Sequence, residues 1–173
     1  MLRQIKVRYD ALEDRLQLTL QTAAQTHHLL LTRRVWTRAR VALQRLLDLS
    51  AETPASLPRS VRESISAAHH QALAAQTLST REPVEVLGAP ADAALVTEMR
   101  LGPRKAAAGA EAQRSWVIEF GLHQRPEVKL VLNDRTLHAL VGALLQREET
   151  AQWALPALPA RAALAPDERT MLQ

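Results

Sequence analysis

The chemistry-bearing residues of this 173-residue chain are 6 histidines, 18 acids and 22 basic side chains. The histidines are the first candidates for a metal site or an acid–base pair. His27-His28 and His69-His70 are adjacent pairs. Neighbouring side chains point to opposite faces of a strand and diverge by about 100° on a helix. Neither pair therefore forms a two-ligand site alone, unlike two His four apart on a helix. They read as surface or cap histidines, with His123 and His138 isolated. Glu13 and Asp14 fall in a predicted turn, where acids are expected for backbone reasons. Five glycines leave little room for a phosphate-cradling loop, and no nucleophile elbow is present. The absence of cysteine excludes disulfides and thiolate metal centres. The expectation is a chain with no catalytic residue, no metal and no cofactor.

The basic side chains are better material. Residues 1–50 carry nine of them (Arg3, Lys6, Arg8, Arg15, Arg33, Arg34, Arg38, Arg40, Arg45) against Asp10, Glu13, Asp14 and Asp48. That local excess exceeds the net charge of +4 for the whole chain. Lys6, Arg8 and Arg15 occupy the polar side of a predicted hairpin. Arg34, Arg38 and Arg45 share one face of the next helix, beside Arg33. Arg100, Arg125 and Lys129 would extend the surface into the second half. Such a face can hold a nucleic-acid backbone through phosphate contacts, although charged helix faces are commonly only solvated. With few aromatic residues, 3% of the chain, base stacking is disfavoured as an affinity source.

Elements that would position these residues emerge from periodicity. Ile5, Val7 and Tyr9 alternate with charges, as do Leu16, Leu18 and Leu20, giving a hairpin about Asp10 to Asp14. His27 to Leu31 is a third strand, ended by Thr32 as a helix N-cap. Val35, Ala39, Ala42, Leu43 and Leu46 then recur at helical spacing to about Leu49. Pro54 and Pro58 mark a linker. Residues 60–78 form a helix whose apolar side (Val61, Ile65, Ala68, Ala72, Ala75) is thin, suited to loose packing or to a partner. Strands are expected at Val84 to Leu87, Leu95 to Leu101, Trp116 to Phe120 and Val128 to Leu132, with a loop over 104–113. Asn133 caps a last helix carrying Leu137, Leu140, Val141, Leu144 and Leu145.

The chain thus nearly repeats itself. At an offset of 101, Leu29, Leu31, Arg34, Trp36, Ala39 and Leu43 fall on Leu130, Leu132, Arg135, Leu137, Leu140 and Leu144. The reading is α+β, two strands-then-helix half-repeats (βββα, a linking helix, ββββα). They would build antiparallel sheet with helices on one face, each half covering the other's edge. Residues 1–150 form one domain (halves 1–50 and 82–150, joined by 51–81). The tail 151–173, with Trp153, Leu155 and Leu158, either docks on the domain or binds a partner.

This order resembles the PUR and Whirly single-strand nucleic-acid-binding modules, in which two ββββα halves interlock, and the resemblance implies a nucleic-acid partner. Separately, Asp14-Arg15-Leu16-Gln17-Leu18 with Leu30-Leu31-Thr32-Arg33-Arg34 resembles an uncharacterised proteobacterial group that brings no function with it. The expectation is a non-catalytic adaptor or accessory subunit of a bacterial assembly, cytoplasmic, with a protein partner or a second copy bound through Trp153, Leu155 and Leu158. The alternative is a nucleic-acid-binding accessory protein using Lys6, Arg8, Arg15, Arg33, Arg34, Arg38, Arg45, Arg100 and Lys129. No apolar run is long enough to span a membrane.

Overall fold

The computed structural model describes residues 2–54, 56–75, 89–104 and 114–155. Three strands come first: β1 (Leu2–Asp10), β2 (Arg15–Thr22) and β3 (Thr26–Thr32). Helices α1 (Arg33–Ser50) and α2 (Arg59–Ala75) come next. Strands β4 (Ala94–Pro103), β5 (Trp116–Leu122) and β6 (Arg125–Leu132) lead into α3 (Asp134–Ala151). The expected strand at 84–87, Leu158 and most of the 104–113 loop lie outside the described residues.

The strands form one six-stranded sheet in sequence order, β1 to β6. Hairpins join neighbours antiparallel within each set of three. The sheet is nevertheless mixed, because β3 and β4 run parallel through Leu29↔Ala94 and Leu30↔Leu95. This modifies the antiparallel expectation for a simple reason. The chain between them crosses over through helices and re-enters the sheet in the same direction, as parallel pairing requires.

Alternation places one side of every strand in the core. Ile5 and Val7, Leu16, Leu18 and Leu20, and Leu29 and Leu31 are buried, and so are Ile118 and Phe120, and Val128, Leu130 and Leu132. The offset of 101 is matched in burial: Trp36, Ala39 and Leu43 are as enclosed as Leu137, Leu140 and Leu144. Both cap assignments hold. Thr32 Oγ1 accepts from Val35 N (3.4 Å), and Asn133 with Thr136 forms a reciprocal capping box.

The helices cross between the two sets of strands. α1 packs on β4 and α3 packs on β1. Where α1 and α3 meet, Arg40 pairs with Glu148 at 3.2 Å, and the Trp36 indole N–H donates to the same carboxylate at 2.6 Å. Each helix therefore runs along the first strand of the other set, which gives the molecule two helix–strand seams, α1–β4 and α3–β1.

Candidate interaction site

Among the described residues, the seam between α1 and β4 is open. β4 is ten residues long, but β3 pairs with it only at Ala94 and Leu95. Beyond Leu95, no described strand is paired with that edge of β4. A groove of about 540 Å³ lies there instead, between the Val35–Ala39–Ala42 side of α1 and the stretch from Leu95 to Leu101 of β4. Arg34 and Arg38 stand on its helix wall, and Thr32 closes its end. A register shift between Val96 and Glu98 bends the strand here. The Glu98 side chain lies so close over Gly121 that an added Cβ would meet Glu98 Cγ at 2.6 Å. A side chain at position 121 would therefore require the exposed Glu98 side chain to shift. Glu98 is also ion-paired with Arg100.

The basic residues named from sequence divide into two groups. On the face of the sheet away from the core, Lys6 stands beside Thr19 and Arg8 beside Gln17, with Arg15 opposite Asp10. Arg100, Glu119 and Lys129 line up across the second set of strands. Lys129 is paired with Glu119, whose carboxyl it holds below the usual range, and Arg100 reaches Glu98 and Glu127. Arg15 is paired with Glu13 at 3.0 Å. Arg33 donates to the Trp153 carbonyl at 3.5 Å. Among the described residues, Lys6, Arg8, Arg34, Arg38 and Arg45 have no ion pair. The second half thus adds pairs of cancelling charge, and among the described residues the cations named from sequence that have neither an ion pair nor a backbone acceptor (Lys6, Arg8, Arg34, Arg38 and Arg45) lie on β1 and α1.

The aromatic residues are structural. Trp36, Trp116, Phe120 and Trp153 are all at most 3% exposed. Trp153, expected as a partner-binding residue, belongs to the protein's own core. Its indole donates to Asp14 Oδ1 at 2.5 Å and stands edge-on to Tyr9, whose hydroxyl also donates to Asp14 at 2.8 Å. Those two hydrogen bonds hold the Asp14 carboxyl below its ordinary range. The chain after α3 therefore folds back over the β1–β2 turn. Leu155 is half-buried against the same core.

The histidines give the largest departure from the sequence reading. His138 is fully buried rather than isolated, and it links three helices. Ser50 donates its hydroxyl proton to Leu47 O (2.7 Å), so it must accept from His138 Nε2–H, also at 2.7 Å. That tautomer leaves His138 Nδ1 as the acceptor for His70 Nδ1–H at 2.9 Å. His69 stacks edge-on against the same ring. Burial first, then the neighbouring His70 and His69, push His138 down to about 4. Burial also lowers His70. A buried His–Ser contact invites comparison with a nucleophile–base pair. Here the hydroxyl proton is already committed to a backbone carbonyl, and neither group is exposed. The cluster fastens α2; no group of three or more potential ligands that could hold a metal occurs among the described residues.

This fastening turns α2 inside out. Ser66 is buried and donates to Asp48 of α1 (2.9 Å), and His70 bonds α3. Val61, Ile65, Ala68 and Ala72 lie about 150° away around the helix and are exposed, Val61 by 42% and Ile65 by 39%. Periodicity identified the stripe correctly, but no described residue covers it.

Comparison with protein-family models, with curated proteins and with solved structures returns no match. No helix among the described residues is long and apolar enough to cross a membrane.

Proposed function

We propose that this protein is a non-catalytic interaction module, a small adaptor or accessory subunit that binds another protein through the outward face of α2. The carrying observation is the inverted helix. An ordinary surface helix turns its apolar stripe to the core, whereas α2 is fastened by Ser66 and His70 and turns Val61 and Ile65 away from it. Contiguous exposed apolar surface rimmed by polar groups is characteristic of interaction sites. Photo-crosslinking from position 65, with sedimentation velocity of the purified chain, tests this reading. A discrete adduct lost in Val61→Glu supports it. No adduct from position 65, with a monomer at all concentrations, removes it.

One observation favours a second reading. Lys6, Arg8, Arg34 and Arg38 have no ion pairs among the described residues, and cations of this kind contact nucleic-acid phosphates. With the tryptophans and Phe120 buried, such binding would rest on charge rather than on stacking. Fluorescence anisotropy with single- and double-stranded DNA and RNA decides it. Binding that weakens steeply with salt and is lost in Arg34→Ala/Arg38→Ala would replace the adaptor reading.

A further inference from the structure

We infer that the α1–β4 groove accepts an extended acidic segment of a partner protein, added as a strand to the edge of β4 that no described strand pairs beyond Leu95. Three features on different parts of the groove converge. The first is backbone: from Val96 to Leu101 the edge of β4 facing α1 has no described strand partner. Unpaired strand N–H and C=O groups are a template for another chain, and proteins ordinarily block them. The second is shape. The lined stretch of β4 runs from Leu95 to Leu101, about 20 Å at the rise of a strand. Its volume lies within the range of ligand-binding clefts, and Val35 and Ala39 on one wall face Met99 and Leu101 on the other.

The third feature is charge. Arg34 and Arg38 are one helical turn apart on the rim and have no ion partner among the described residues. Glu98, the one acid in the lining, is engaged by Arg100. An incoming strand with carboxylates on alternate residues would satisfy both arginines while its apolar residues face the groove floor. Main-chain hydrogen bonds then supply affinity and the side-chain alternation supplies specificity. Nucleic acid fits less well, because a sugar–phosphate backbone cannot complete the β ladder. This site lies on α1 and β4 and is independent of the α2 stripe.

The probe is an acetylated, amidated octapeptide alternating Val and Glu, titrated into the full chain and followed by amide shifts in two-dimensional NMR. The expected result is saturable shifts concentrated between Val96 and Leu101. Affinity should fall about tenfold or more when Lys replaces Glu in the peptide, or when alternate peptide amides are N-methylated. Arg34→Glu/Arg38→Glu, at exposed helix positions, should invert the Glu-over-Lys preference while circular dichroism stays unchanged. Ile65→Glu should leave peptide binding intact, which separates this site from the α2 surface. Four results would overturn the proposal: no shifts at millimolar peptide, equal binding of the N-methylated peptide, displacement of the peptide by a single-stranded oligonucleotide, or a dimer sealed through β4.

Discussion

The two helix–strand seams are built alike and finished differently. In each, the helix that ends one set of three strands lies along the first strand of the other set. At the α3–β1 seam, Arg147 Nε donates to Val7 O (3.1 Å), and Trp153 then covers Tyr9 and Asp14. At the α1–β4 seam, nothing described plays either part, and a groove of about 540 Å³ remains. The offset that aligns α1 with α3 puts Leu46 opposite Arg147, so the first helix lacks the side chain that reaches a strand carbonyl in the second. Similar backbones thus give one closed joint and, among the described residues, one open edge. The groove is set by these side chains rather than imposed by the topology.

The largest expected effect comes from breaking the closed joint. Trp153→Ala removes a fully enclosed indole and strands Asp14 and Tyr9, and it should cost about 3–5 kcal/mol in urea unfolding. A loss under 1 kcal/mol would mean that the seam is not sealed by this residue.

Next comes acid. The folded chain holds His138 near 4, well below the unfolded value of 6.5. Between these pH values the unfolded state binds more protons, so stability rises with pH through that window and is lost as pH falls through it. The sign is the same for His70, which is also depressed. Asp134 opposes the shift of His138, and His69 and His70 reinforce it. The loss between pH 7 and pH 4 should be on the order of 2–3 kcal/mol. His138→Gln should flatten the profile, and an unchanged slope would remove His138 as its source. Because His138 holds His70, acid should also loosen α2 before the sheet.

Arg147→Met is a smaller perturbation. It keeps the aliphatic stem and leaves Val7 O without its donor, at a cost of about 1–2 kcal/mol by denaturant titration. Arg34→Ala/Arg38→Ala, at the open seam, should change stability by no more than about 0.5 kcal/mol. A large loss there would show those arginines to be structural and the groove closed.

Much of this architecture was legible in the sequence. Alternation located Ile5–Val7 and Leu16–Leu20, and the offset of 101 matched residues that are buried alike. Thr32 and Asn133 announced their helices because capping chemistry is local. The parallel β3–β4 pairing was not legible, since it depends on a crossover whose course no local pattern encodes. Nor was the Ser50–His138–His70 chain, which joins residues 88 and 68 positions apart. One signal was present: His138 comes directly after Leu137 on the apolar side of the cleanest helical stripe, where a histidine needs a buried partner. The periodicity of α2 marks an apolar stripe but cannot say which side faces inward. Polar hydrogen bonds from Ser66 and His70 decided that. Trp153 shows the same limit, because an apolar residue after a helix signals burial without naming what covers it.

The most direct test of the two-seam account is solvent paramagnetic relaxation of backbone amides in the free protein, using a neutral gadolinium chelate. The account predicts strong relaxation at alternate amides between Val96 and Leu101, and shielding of the β1 amides that face α3 between Ile5 and Tyr9. Equal shielding of both strands would contradict it, showing the α1–β4 edge to be as closed as its counterpart.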